Sequence, residues 1–483
     1  MKRALVLTLG MLIVSPAVQA EDLLTVFERA RANDPQIREA DALRRASLES
    51  KPQALAALLP RVSAAAARVE DSTSGTNFRE FAFGNAIVPN DNSGDGDATN
   101  ERWSVDLRQS VFSWANWVAL KRADKTVAQA EADYQAQEQT LISRVGDAYF
   151  NVLAAQDTVD AQSSAFEAIS RQLEQAEKRF EVGLIAITDV QEAKAARDSA
   201  AAAVIASKRA LASAQEQLRE ITGEKYEILA RPGDTMPLKS PDPADEDQWV
   251  ELSMEQNLAL VSSRLAADIA RDDVRTAFSG HLPELDLVAS RSNSVNVSEQ
   301  RLLRGGTASA NSDTDDTQYS LQLSVPIYAG GAVNSQVRQS EFRWQAARER
   351  LTRTSRQTER QARDAYLGVI TEISRVNALR QALESNQTAL KATEAGYEVG
   401  TRTAVDVLDA RRNLVQAQTN YARSRYDYML NVLRLKLAAG TLDRATLADV
   451  NSWLVEPAPI GAPPTPAPAA APPPAPAAAP APR

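Results

Sequence analysis

Residues Phe180 to Ala193 read FEVGLIAITDVQEA, and residues Tyr397 to Ala410 read YEVGTRTAVDVLDA. Six of the fourteen positions match at an offset of 217 residues. In both segments a glycine, Gly183 or Gly400, interrupts a long helical pattern, and an aspartate, Asp189 or Asp406, follows it six residues later. The likeness extends upstream. Asp147 to Ala161 (DAYFNVLAAQDTVDA) faces Asp364 to Ala378 (DAYLGVITEISRVNA) at the same offset, Ser104 to Phe112 faces Ser320 to Tyr328 at 216, and Leu59-Pro60 faces Leu282-Pro283 at 223. Elements recurring in one order at a nearly constant offset indicate an internal duplication, with repeats over residues 21–240 and 241–455.

Each repeat holds a proline-free stretch, residues 90–231 and 327–456, in which apolar residues recur at three- and four-residue spacing. That period predicts two long helices per repeat. From Trp117 to Phe180 a helix would rise roughly 95 Å at about 1.5 Å per residue, a length that suggests coiled-coil packing. Glycine readily takes the positive φ of a helix C-terminal cap, so Gly183 and Gly400 mark reversals and each repeat contains a helical hairpin.

Before each hairpin the period changes to two. Trp103, Val105, Leu107 and Val111 alternate with Ser104, Asp106, Arg108 and Ser110, and Tyr319, Leu321, Leu323, Val325 and Ile327 alternate with Ser320, Gln322 and Ser324. These are strands with one apolar and one polar face. Their expected partners are Pro60 to about Glu70 and Pro283 to about Ser292, joined by loops such as Asn90 to Asn100 and Asn311 to Gln318, with a long first surface loop over about Asp71 to Glu101. Strands of about ten residues with this polarity suit a tilted bilayer crossing, where only a closed barrel leaves no backbone unpaired. Four strands per chain cannot close, so copies must pool them. The arithmetic permits two, three or more copies, and a soluble exported sandwich is the other reading of the same strands.

Lys2 and Arg3 precede an apolar run from Ala4 to Val14, then Ser15, Pro16 and the small-residue ending Val18-Gln19-Ala20. Residues 1–20 therefore read as a cleaved signal peptide. No later run reaches the roughly 18 to 20 apolar residues of a spanning helix. The formal charge of −9 and pI near 5.1 argue against nucleic acid as the main partner. With no cysteine, the chain has no disulfide or thiol metal site. Residues 456–483 are almost entirely Pro and Ala and are expected to be a disordered tail.

The order of short helices, strand pair and long hairpin, given twice, together with VGLIAITDV, VGTRTAVDVLDA, HLPELDL, VPIYAGGAVNSQV and QLREITG, resembles the TolC family over about residues 21–455. The resemblance implies a mainly α fold with a membrane β-barrel. It implies a homotrimer in the outer membrane, with a shared 12-stranded β-barrel, four strands per protomer, and a long coiled-coil α-barrel in the periplasm. Smaller helices from Gly223 to Leu258 and after Gly440 would form a belt. It further implies a passive exit duct for tripartite efflux pumps and type I secretion, working with a periplasmic adaptor (membrane fusion) protein and an inner-membrane pump or ABC exporter, and surrounded by outer-membrane lipid.

Site residues carry over by matching position. Thr188, Asp189, Tyr397 and Arg402 correspond to the family's periplasmic gate. Read from the residues alone, Thr188 and Asp189 are first-turn helix residues and Arg402 a solvated side chain. Asp406 and Asp409, three residues apart, correspond to an acidic constriction in which crowding would raise pKa values and attract cations. The turns Val182-Gly183-Leu184 and Val399-Gly400-Thr401 correspond to adaptor-docking tips. No catalytic, cofactor-binding or metal-ligating constellation is present: His281, the one histidine, sits beside a strand-starting Leu-Pro and reads as structural. A non-conducting coiled-coil envelope scaffold or adhesin is the alternative to a duct.

Overall fold

The structure, a computed structural model, describes residues 20–75, 78–83, 86–91, 94–233, 236–302 and 306–461. In chain order the elements are α1 (Leu23–Asn33), α2 (Pro35–Leu48), α3 (Ser50–Ala56), β1 (Arg61–Gly75), β2 (Phe78–Phe83), β3 (Ala86–Asp91), β4 (Gly94–Phe112), α4 (Trp114–Glu181), α5 (Ile187–Thr222) and β5 (Ile228–Pro232). There follow α6 (Glu246–Gln256), α7 (Leu258–Phe278), β6 (Glu284–Leu302), β7 (Thr307–Ser324), α8 (Ala332–Glu398), α9 (Ala404–Ala438), α10 (Arg444–Asn451) and β8 (Leu454–Pro459). Helices, a strand pair, a long and a shorter helix and a short strand thus occur twice in one order. Among the described residues, no helix is long and apolar enough to cross a membrane.

The chain divides into two compact units, and each draws on both repeats. One comprises Ala42–Ala132 and Ser262–Arg353. Its centre is a four-stranded antiparallel sheet in the order β1-β4-β6-β7, so the two expected hairpins are one sheet. The register sorts the faces. Val62 lies opposite Leu107, which lies opposite Ala289, which lies opposite Tyr319, while Ala64 faces Val105 and Leu287 faces Leu321. On the other face, Ser63 faces Asp106, Asp106 faces Ser290 and Ser290 faces Gln318. The apolar face is open to solvent: Val62 is 63% exposed, Leu321 63% and Leu323 64%.

The strands correct the sequence reading in one respect. β4 and β6 each run 19 residues and β7 runs 18, so most of the stretches expected as loops, Asn90 to Asn100 and Asn311 to Gln318, are paired strand. Part of the expected first surface loop forms β2 and β3, which pair with each other. Asn, Asp and Ser weaken strand propensity, but once two antiparallel strands are in register each further residue pair satisfies its own backbone groups. His281 is exposed, its Nε2 3.1 Å from Asn334 Oδ1 near the start of α8.

The other unit comprises the described residues up to Asp41, Asp133–Val261 and the described residues from Thr354. On α4, Leu141, Val145, Tyr149 and Val152 recur at helical spacing and are buried. They pack in one core with Leu23, Leu218 and Leu433. Here the chain is stitched by backbone. β5 pairs antiparallel with β8, and Glu21 pairs parallel beside Leu229, with Ala230 N donating to Glu21 O at 3.0 Å. The buried Tyr149 hydroxyl lies 2.6 Å from Ala230 O and 3.1 Å from Glu21 O. The tail expected to be disordered from residue 456 is therefore ordered as far as β8 reaches. A Pro/Ala composition hides this because β8 uses backbone pairing, with Pro457 and Pro459 on an edge that needs few donors. The expected signal peptide, apart from Ala20, and the expected disordered tail from residue 462 lie outside the described residues.

Gly440, φ +76°, closes α9 against the α6–α7 junction, where an added Cβ would lie 2.3 Å from Gln256 O and 2.9 Å from Asn257 Cα. Gly400, φ +78°, has open space around it. Gly440→Ala should therefore cost about 3 kcal/mol or more, from backbone overlap added to left-handed strain, and Gly400→Ala only about 1 to 2. Denaturant midpoints of the two variants measure this, and equal losses would contradict it.

Candidate gate and tip sites

The two helical hairpins reverse by the same device. At the end of α4, Gly183 N donates to Phe180 O at 2.9 Å and Leu184 N to Arg179 O at 2.9 Å, with Gly183 at φ +72°. At the end of α8, Gly400 N donates to Tyr397 O at 3.1 Å and Thr401 N to Gly396 O at 2.8 Å. These paired bonds form a Schellman cap, which satisfies the last helical carbonyls and needs a left-handed residue where each glycine stands. The turns leave apolar side chains in solvent: Val182 is 69% exposed, Leu184 73% and Val399 76%.

The following helices start differently. Thr403 caps α9: Asp406 N donates to Thr403 Oγ1 at 3.2 Å, and Thr403 N and Oγ1 both donate to Asp406 Oδ2 at 2.9 Å. This is a capping box with aspartate in the place where glutamate is usual. In the first repeat Ala186 stands at the N-cap of α5 and offers no side-chain acceptor. Asp189 is then a half-buried acidic group in a first turn, where the helix dipole favours it, and Thr188 is exposed.

Within the chain the four gate residues are not joined to one another. Among the described residues, no hydrogen bond links Thr188 or Asp189 to Tyr397 or Arg402. Tyr397 instead receives Arg179 of α4, whose guanidinium carbon lies 5.3 Å from the ring centroid. Arg402 folds beside its own turn, its N donating to Gly396 O at 3.2 Å. Glu394 of α8 and Arg411 of α9 form a 2.5 Å ion pair across the second hairpin. Arg179, Thr403 and Arg411 were not singled out from sequence. The T-x-x-D spacing before an apolar run does signal the cap, whereas a contact between separate helices has no local signature.

The two residues expected at an acidic constriction already have partners within one chain. Within one chain the Asp406 carboxyl is held below its ordinary value of 3.8. The Thr403 backbone N–H is the main cause, followed by the Thr403 hydroxyl, and the nearby Arg402 charge adds to them. Hydrogen bonds to the charged form favour it within one chain, whereas the crowding expected at the constriction concerns carboxylates brought together from several copies. Asp409 pairs with Arg412 on its own helix at 3.2 Å.

The family described as outer membrane efflux protein matches residues 26–224 and 249–441. The chain is 38% identical over 461 residues to outer membrane protein TolC of Escherichia coli (strain K12), covering 95% of this chain and 90% of that protein. It is 29% identical over 436 residues to alkaline protease secretion protein AprF of Pseudomonas aeruginosa, covering 88% and 85%. Among solved structures, the outer membrane protein VceC of Vibrio cholerae matches at TM-score 0.67 and 20% identity, covering 86% of this chain and 96% of that one. The CmeC outer membrane channel of Campylobacter jejuni matches at TM-score 0.69 and 17% identity, covering 90% of each. These two share its fold. With a family match over most of its length and close relatives over nearly all of it, the chain belongs to the outer membrane efflux protein family, alongside TolC.

Proposed function

We propose that three copies of this chain form a passive exit duct in the outer membrane, serving drug efflux and type I secretion. The observation that carries this reading is the sheet β1-β4-β6-β7, apolar on one face, polar on the other and open at both edges. An apolar outer band and a polar lumen are what a membrane barrel requires, and open edges require further copies. Relatives named for outer-membrane function and for protease secretion support the duct over a scaffold. Residues 1–20 act as the export signal, and the two halves arose by duplication.

In this reading the periplasmic adaptor seats on the turns Val182-Gly183-Leu184 and Val399-Gly400-Thr401. Exposed apolar residues flank a backbone with no side chain at its apex, which permits close helix-tip approach. An inner-membrane pump or ABC exporter engages through that adaptor. Thr188, Asp189, Tyr397 and Arg402 act as a gate between hairpins, including those of neighbouring copies. A phenol and a guanidinium can donate to a carboxylate, and charged hydrogen bonds contribute roughly 1.5 to 3 kcal/mol each. Asp406 and Asp409 border the narrow part of the path. No step needs catalysis.

Purified protein in a planar bilayer tests the duct directly: discrete channels are expected, and a well-folded protein that never conducts would point to a scaffold. Tyr397→Phe combined with Arg402→Gln should raise single-channel conductance, and an unchanged value would refute the gate. Asp406→Asn keeps an acceptor for the Thr403 cap while removing the charge. Combined with Asp409→Asn it should weaken block by a trivalent cation by at least about tenfold. Undiminished block would place the constriction elsewhere.

A further inference from the structure

The two carboxylates of the proposed constriction do not stand alone. Asp409 Oδ1 and Arg412 Nη1 lie 3.2 Å apart, with side chains 55% and 76% exposed. The adjacent arginine turns another way: Arg411 reaches Glu394 on α8 and is mostly buried, its side chain 19% exposed. Consecutive arginines thus divide their work, one tying α8 to α9 and the other staying in solvent with Asp409. Asp406 is engaged by Thr403.

We propose that Arg412 determines the charge selectivity of the duct by acting as the fixed counter-charge of Asp409. The inference rests on the reading that Asp406 and Asp409 border the path. A passing ion then meets a carboxylate–guanidinium pair at the level of Asp409. The potential of such a pair falls with distance much faster than that of a lone carboxylate, and salt screens what remains. In water an exposed pair of this kind adds little to stability, so folding alone gives Arg412 small value. Its effect is on the field: three copies would place three positive charges beside three negative ones in a confined passage, where unbalanced charge concentrates counter-ions. The duct is accordingly less cation-selective than two bare acidic rings would make it.

The test uses the full-length assembled protein in planar bilayers, read by reversal potential in a potassium chloride gradient and by the half-blocking concentration of lanthanum ion. Arg412→Gln should raise the cation-to-anion permeability ratio by about threefold or more and lower the half-blocking concentration about tenfold. Arg412→Lys, which retains the charge, should remain within about twofold of the parent. Asp409→Asn should shift both readings in the opposite direction. If Arg412→Gln conducts as the parent does while Asp409→Asn shifts, the role assigned to Arg412 is overturned. If neither variant shifts, although both insert as channels, the pair lies off the path and the constriction itself is misassigned.

Discussion

The outer edges of β1 and β7 are the constraint on which the rest depends. Their strands, 15 and 18 residues long, carry rows of backbone N–H and C=O groups that pair with nothing in the β1-β4-β6-β7 order. In water such groups find solvent, but in hydrocarbon each unpaired group costs several kcal/mol. The apolar face beside them, with Val62, Leu321 and Leu323 exposed, suits hydrocarbon and not water. Burying the face in lipid is favourable only if both edges are closed at the same time, and four strands are too few to close on themselves. In the proposed trimer, sister copies would resolve both demands together, so that assembly and membrane insertion become one problem.

The helical hairpins show how a duplicated pattern is put to different use. Both end in the same glycine-dependent cap, because the geometry of a reversing helix leaves few alternatives. They then diverge at one residue. Thr403 lets Asp406 serve as a cap partner, whereas Ala186 leaves Asp189 without that role. One return helix therefore begins with a capping box, and the other begins without a side-chain cap.

Much of this was legible in the sequence where the signal is local and periodic. The apolar alternation of Trp103, Val105 and Leu107 marked the apolar face of the sheet, and Gly183 and Gly400 marked the turns. What stayed hidden is backbone pairing between distant segments. The partnership of Ile228–Pro232 with Leu454–Pro459, with Glu21 beside it, leaves no pattern in side-chain polarity, and Pro457 and Pro459 argued for disorder. The outer halves of the strands were missed for the same reason, since a ladder through Asp313 and Asp315 is held by backbone groups whatever the side chains are. At the candidate site, the residue types were readable but their first partners were not. Tyr397 meets Arg179 from another helix, and Asp409 meets Arg412 on its own.

The edge-closure claim can be tested by cross-linking, because the chain has no cysteine of its own. Ala65→Cys on β1 would be combined in turn with Gln318→Cys, Ser320→Cys and Gln322→Cys on β7. A disulfide forms only where the Cα atoms approach to about 4.4 to 6.8 Å. Neighbouring copies that seal each other's edges should give, for at least one combination, a covalent trimer on a denaturing gel after oxidation. Recovery of monomer alone from every combination, in protein that is folded and membrane-inserted, would contradict the account.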